Sequence, residues 1–143
     1  MTDKFSVFGW PATKVAELDH WCIMLRPAQP TLGSLVLACK EPVEAFGDVS
    51  PEGHAELGKA VKHIETMLSA AFNYDKINYL MLMMVDPFVH FHVIPRYEAP
   101  RSFEGLEIAD AGWPGPPALG QAVSLSEDQV SKLAASLRTR WSD

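Results

Sequence analysis

An α+β fold is predicted for this chain of 143 residues: an antiparallel sheet of about five strands, one long helix packed on it, and a second helix near the C-terminus. Three observations predict it. Short apolar runs alternate with turn residues. One long stretch carries apolar residues at helical spacing. Two of the apolar runs are joined by a connection far too short for a crossover, so their strands must be antiparallel. The length suits one domain over residues 1–143, large enough to bury a core without metal or disulfide staples.

Taken in order, residues 1–19 mix the aromatics Phe5, Phe8 and Trp10 with a short helix-compatible segment from Thr13 to Leu18. His20 to Leu25 reads as a strand. Arg26 to Gly33 reads as a loop, because its prolines remove donors and its glycine permits unusual dihedrals. Ser34 to Cys39 is a second strand, which makes an antiparallel hairpin with the first. The long helix starts at Ser50, a good N-cap, with Pro51 at its first position. Leu57, Val61, Ile64, Leu68 and Phe72 then share one face, and Glu56, Lys59, Lys62 and Glu65 occupy the others. His54 and His63, also on this helix, read as solvated or partly packed side chains.

Ile77 to Val85 is strongly apolar and is expected to form a strand buried on both faces, with Met81, Met83 and Met84 as core filler. Asp86-Pro87 is expected to turn the chain into a last strand, Val89 to Tyr97. From Glu98 to Ser124 the composition shifts to Gly, Pro and Ala around Trp113-Pro-Gly-Pro-Pro117, an irregular segment packed over the sheet. A final helix opens with Ser126 as N-cap and Gln129 three residues later, a capping-box pattern. Val130, Leu133, Leu137 and Trp141 form its apolar stripe.

Composition narrows the function. A net charge of -6 argues against a nucleic-acid backbone as partner, since that calls for a basic stripe, but a few local arginines can hold one polyphosphate. No apolar run approaches the ~20 residues of a membrane span, and Met-Thr-Asp-Lys-Phe lacks the pattern of a signal peptide. The expected setting is the cytoplasm, with no membrane partner. There Cys22 and Cys39, both in strand-like runs, are expected to be buried free thiols.

The chemistry concentrates in Phe88-Val-His-Phe-His-Val-Ile94. In an extended strand alternate side chains share a face. Phe88, His90, His92 and Ile94 therefore point one way, and Val89, Phe91 and Val93 point into the core against the long helix. Two imidazoles roughly 7 Å apart face the same space. A neutral imidazole is nucleophilic near neutral pH, and its neighbour can hold a proton or donate to a phosphate oxygen. The pair suits phosphoryl or nucleotidyl transfer. It also admits a metal site, with Asp86 or Glu98 completing the ligands, and a protein that binds nucleotides without turning them over.

Val89-His-Phe-His-Val-Ile-Pro-Arg96 resembles the motif of the histidine-triad superfamily, His-φ-His-φ-His-φ-φ with φ apolar, often followed by Pro-Arg. His90 falls on the middle histidine and His92 on the last. The resemblance spans about residues 20 to 97 and follows the family order of hairpin, helix, strand, turn and motif strand. The Trp113-Pro-Gly-Pro segment is similar to a tail in some bacterial members. It implies that His90 attacks the α-phosphorus of a nucleotide to form a nucleotidyl-histidine. His92 would contact the phosphate and manage the charge or protonation of the leaving group. The family needs no active-site metal or other cofactor for this step, and its members commonly form homodimers through the helix and an edge strand. Dinucleoside polyphosphates and nucleoside phosphoramidates are the substrates it implies.

The chain departs from the motif at Phe88, which stands where the family has its first histidine, so orientation of the nucleophile falls to a backbone carbonyl or to His92. Ser34 stands where a histidine often opens the second strand. With only Asp86-Pro87 expected between the last two strands, the family's phosphate-binding loop has no counterpart. Arg26, Gln29, Thr31, Ser34 and Arg96 are the candidates to replace its contacts. For Arg26 and Arg96 the alternative is simple pairing with acidic neighbours. Trp10, Trp21 and Trp113 could stack on a base but read more readily as packing aromatics.

Overall fold

In a computed structural model, which describes residues 2–141, the predicted α+β architecture is present. The strands are β1 (Lys14–Glu17), β2 (Trp21–Leu25), β3 (Ala28–Gln29), β4 (Leu35–Cys39), β5 (Lys76–Leu80), β6 (His90–Arg96), β7 (Arg101–Phe103), β8 (Leu106–Ile108) and β9 (Val123–Ser124). The α-helices are α1 (Pro51–Phe72) and α2 (Glu127–Arg140). Five strands form the main antiparallel sheet in the order β1-β2-β4-β6-β5. Two small ladders, β3 with β9 and β7 with β8, sit outside it.

Alternation along β2, β4 and β6 divides the side chains between two layers. Trp21, Ile23, Leu25, Leu35, Leu37, Val93 and Tyr97 join Ile64, Met67, Leu68 and Phe72 of α1, and Leu133 and Leu137 of α2, in the main core. On the other face Cys22, Met24, Val36, Ala38 and Phe88 gather around Phe5 in a smaller cluster. Ser50 caps α1 by accepting from the Gly53 amide, and Ser126 and Gln129 form the reciprocal capping box of α2. The buried stripe of α1 includes Ala60 and Met67, while Leu57 and Val61 of the expected stripe are only partly buried, so the helix face is rotated slightly from the predicted one. Among the described residues no helix is long and apolar enough to cross a membrane. Cys22 and Cys39 are buried free thiols, as expected.

Several expectations are overturned. Thr13 to Leu18 is not helical: Lys14–Glu17 pairs with β2, and the N-terminal helical turn is a 3₁₀ helix at Asp3–Phe8. Four residues offered a strand partner gain more from the ladder than from one unsupported turn. The strand expected over Ile77 to Val85 stops at Leu80 and lies at the sheet edge, half-buried. Beyond it Met83 takes φ +51°, turning the chain out of the ladder, and Met84 and Val85 are 87% and 91% exposed. Of the three methionines, Met81 and Met83 pack on the core and Met84 does not. The connection between the last two strands is therefore the whole Met81–Val89 segment, not Asp86-Pro87 alone. In the tail, an unforeseen hairpin forms because Glu104 and Gly105, at φ +47° and +84°, supply the two left-handed residues of a tight turn.

Candidate active site

Register sets His90 and His92 on the face away from α1. Ala38 pairs with His90 and Val36 with His92, while Cys22 and Met24 of β2 lie opposite the same β4 residues. The neighbours across the face are therefore small or apolar, and they leave the rings to each other. The ring centroids are 5.2 Å apart with the planes at 83°. Phe88 lies 5.1 Å from the His90 ring, and Phe8, from the N-terminal 3₁₀ helix, lies 5.5 Å from it on the same face of the sheet. His90 is 3% exposed.

The Nδ1 of His90 is 2.7 Å from the Phe88 carbonyl. A carbonyl only accepts, so Nδ1 carries the proton, and in the neutral ring Nε2 carries the lone pair. Nε2 makes no hydrogen bond among the described residues. The backbone of Phe88 thus orients the imidazole even though its side chain is a phenyl ring.

His92 differs. Its Nδ1 is buried and has no partner, and the only other such side-chain nitrogen or oxygen among the described residues is Nη1 of Arg26. Burial first, then the Arg26 guanidinium, then His90, push the His92 pKa down to about 4, against a smaller opposite pull from Asp86. Burial also lowers the pKa of Arg26. Two buried groups that can donate, on one face, without acceptors, cost about 1–3 kcal/mol each unless an acceptor arrives. An anion placed against them would supply one.

The other candidates are committed elsewhere. Gln29 donates to the carbonyls of Arg26 and Ser34 at 2.7 and 2.9 Å and accepts from the Gly33 amide at 2.8 Å. Thr31 and Ser34 bond each other at 2.9 Å, and Ser34 donates to the Thr31 carbonyl. All three are buried. Their polar atoms brace the loop that carries Arg26 and are bonded within it. Arg96 donates twice to Asp110, at 2.7 and 3.1 Å, and also to Asn78 and the Gly115 carbonyl. It pairs with an acidic neighbour, the simpler of its two readings.

Among the described residues no three His, Cys, Asp or Glu side chains are placed to hold a metal ion, so the metal alternative with Asp86 or Glu98 finds no ligand set. Trp21 is fully buried and donates to the Gly53 carbonyl at 2.7 Å, a packing role. Trp10 packs edge-on to Phe5, 6.1 Å between centroids. A recess of about 930 Å³ between the N-terminal segment and α2, lined by Pro11, Thr13, Leu125, Val130 and Arg138 among others, contains neither histidine of the pair. Of the two orienting groups expected, a backbone carbonyl or His92, the carbonyl of Phe88 is the one bonded to His90, and Phe8 was missed in the sequence. No local pattern places an aromatic beside a ring 82 residues later, and a carbonyl has no side-chain signature.

No protein-family model matches the chain. Its fold does match solved structures. A histidine triad protein from Bradyrhizobium japonicum superposes with a TM-score of 0.71 at 18% identity, covering 90% of each chain. The fold is that of the histidine-triad proteins. A histidine triad protein from Marinobacter aquaeolei matches equally well, TM-score 0.71 at 22% identity over 90% of this chain and 87% of that one. A hypothetical histidine triad nucleotide-binding protein from Sulfolobus tokodaii gives 0.70 at 19%, over 90% and 82%. At these identities the shared feature is the histidine-triad fold itself.

Proposed function

We propose that the chain is a nucleotide hydrolase or nucleotidyl transferase acting at the α-phosphorus of a nucleoside phosphate derivative, either a dinucleoside polyphosphate or a nucleoside phosphoramidate. One observation carries this reading: the Phe88 carbonyl pins the Nδ1 proton of His90, which leaves the Nε2 lone pair free on the face shared with His92 and Arg26. Nε2 attacks phosphorus, a nitrogen–phosphorus bond forms, and the bond from phosphorus to the leaving group breaks with its electron pair. Arg26 and His92 take the phosphoryl oxygens as acceptors for their unpaired nitrogens. Water or another acceptor then attacks phosphorus, gives up a proton, and returns the bonding pair to Nε2.

Rapid quench with a labelled dinucleoside polyphosphate is expected to leave label on His90. His90→Ala is expected to lose label and to slow turnover by about a thousandfold or more. One observation favours a second reading, a nucleotide sensor without turnover: His90 is nearly covered by Phe8 and Phe88. Tight binding with no label, unaltered in His90→Ala, would select that reading over catalysis.

A further inference from the structure

Arg26 and Arg96 stand on the same side of the sheet, yet only Arg26 is unspent. Every nitrogen of the Arg96 guanidinium donates, Nε and Nη2 to Asp110, Nη1 to Asn78 and Nη2 also to the Gly115 carbonyl, whereas Nη1 of Arg26 is buried with no acceptor. The ladder fixes where Arg26 starts. Its amide donates to the Ser34 carbonyl at 3.0 Å, one step along the face from the Met24–Val36–His92 row, which is itself one step from the Cys22–Ala38–His90 row. Nucleophile, second histidine and arginine therefore begin in three successive rows spaced roughly 7 Å apart, the histidines on β6 and the arginine at the end of β2, with β4 between them. The Arg26 charge opposes a proton on His92, and each of the two side chains carries a buried nitrogen with no partner. Gln29 holds the Arg26 carbonyl at 2.7 Å, so the backbone from which the side chain springs is fixed.

We propose that Arg26 is a specificity-determining residue that selects substrates whose leaving group from the α-phosphorus is itself a phosphate, favouring dinucleoside polyphosphates over nucleoside phosphoramidates. The proposal rests on the reading of His90 as nucleophile.

The electron count separates the two classes. With a polyphosphate, attack forms the Nε2–phosphorus bond and breaks the bridging phosphorus–oxygen bond. The electron pair stays on the departing phosphate oxygen, which leaves as an anion and needs a nearby cation, not a proton. With a phosphoramidate, the phosphorus–nitrogen bond breaks, and its electron pair departs only on a nitrogen that gains a proton. The one unpartnered group placed to give that proton is His92, which its burial and the Arg26 charge keep neutral. A neutral imidazole is a poor acid. Arg26 thus supplies the charge that one leaving group requires and holds back the proton that the other requires. A phosphate chain running from His90 past His92 would also bring its oxygens to both orphaned nitrogens.

The test compares diadenosine tetraphosphate with adenosine phosphoramidate on the full chain, reading kcat/KM for each and label on His90 in the same samples. The wild type is expected to prefer the tetraphosphate. Arg26→Gln is expected to lower the ratio of tetraphosphate to phosphoramidate kcat/KM by about tenfold or more, since a charge-assisted contact is lost for one substrate and, for the other, the charge opposing a proton on His92 is removed while its burial stays. Arg26→Lys, which keeps the charge, should lower it by less, and this variant carries the test if the first does not fold. A ratio unmoved in the folded variants, with label still on His90, overturns the role of Arg26 and leaves the nucleophile standing. Absence of label with both substrates in the wild type overturns both readings.

Discussion

A histidine ring set among apolar neighbours and facing a guanidinium loses more by taking up a proton than it gains, and His92 is in that position. Its pKa falls from 6.5 in the open chain to about 4 in the fold. The unfolded chain therefore binds more protons between these values, and the His92 contribution to stability, complete above pH 6.5, is lost as the pH falls toward 4. Urea midpoints measured across this window should drop with acidification, and His92→Gln should remove that component of the slope. Glu17 and Glu41, whose carboxyls lie below their usual range through bonds to Lys40 and to Ser50, act in the same direction but below pH 4.5, so the windows separate. A slope between pH 6.5 and 4.5 unchanged in His92→Gln would contradict the environment assigned to this ring.

Between residues and molecule, the β2–β4 connection shows how an element is held by its own side chains. Gly33 sits at φ +89°, and a Cβ there would meet the Phe72 ring at 3.1 Å, so the turn needs a residue without one. Gln29 closes the same turn with three bonds from a buried amide. Gln29→Ala strands the Gly33 amide hydrogen and the Arg26 carbonyl, while the Ser34 carbonyl keeps its bond from the Arg26 amide, and it is expected to cost about 2–3 kcal/mol, read from the urea midpoint. A loss under about 0.5 kcal/mol would mean that the bracing is carried by the backbone alone. The elements legible in advance were those whose signals are local: the Ser50-Pro51 start of α1, the Ser126–Gln129 box of α2, and the alternation of β6. The strand expected to run to Val85 failed because an apolar run records hydrophobicity without saying whether a partner strand is alongside, and β6 begins only at His90.

Across the whole molecule, one buried cation ties the tail to the sheet. Arg96 of β6 joins Asn78 of β5 to Asp110 and Gly115 of the tail, and the side chains of Arg96 and Asp110 are 5% and 1% exposed. A buried pair of this kind is held by its geometry, and removing one member leaves the other charged in a medium that solvates it poorly. Arg96→Ala is expected to destabilise the fold by about 3–5 kcal/mol. Amide exchange should rise first between Asp110 and Gly115. Arg96→Lys should recover only part of this, because an ammonium cannot reproduce the two-pronged contact with Asp110. Equal protection of that segment in wild type and Arg96→Ala would show the tail to be held by its own packing.

By itself the sequence determined that two imidazoles share one face of a strand, that this strand belongs to an antiparallel sheet beneath a long helix, and that both helices start at well-capped serines. These follow from periods and spacings that act within a few residues. Only the tertiary structure decided which arginine is spent and which is free. Arg26 and Arg96 look alike in one dimension, and their difference lies in Asp110 and Asn78, 14 residues beyond and 18 before Arg96, with no equivalent pair near Arg26. It also decided that a carbonyl orients His90 and that Phe8 covers it. Hydrogen-bond partners and solvent exclusion are settled by neighbours in space, and a chain written as letters does not carry those distances.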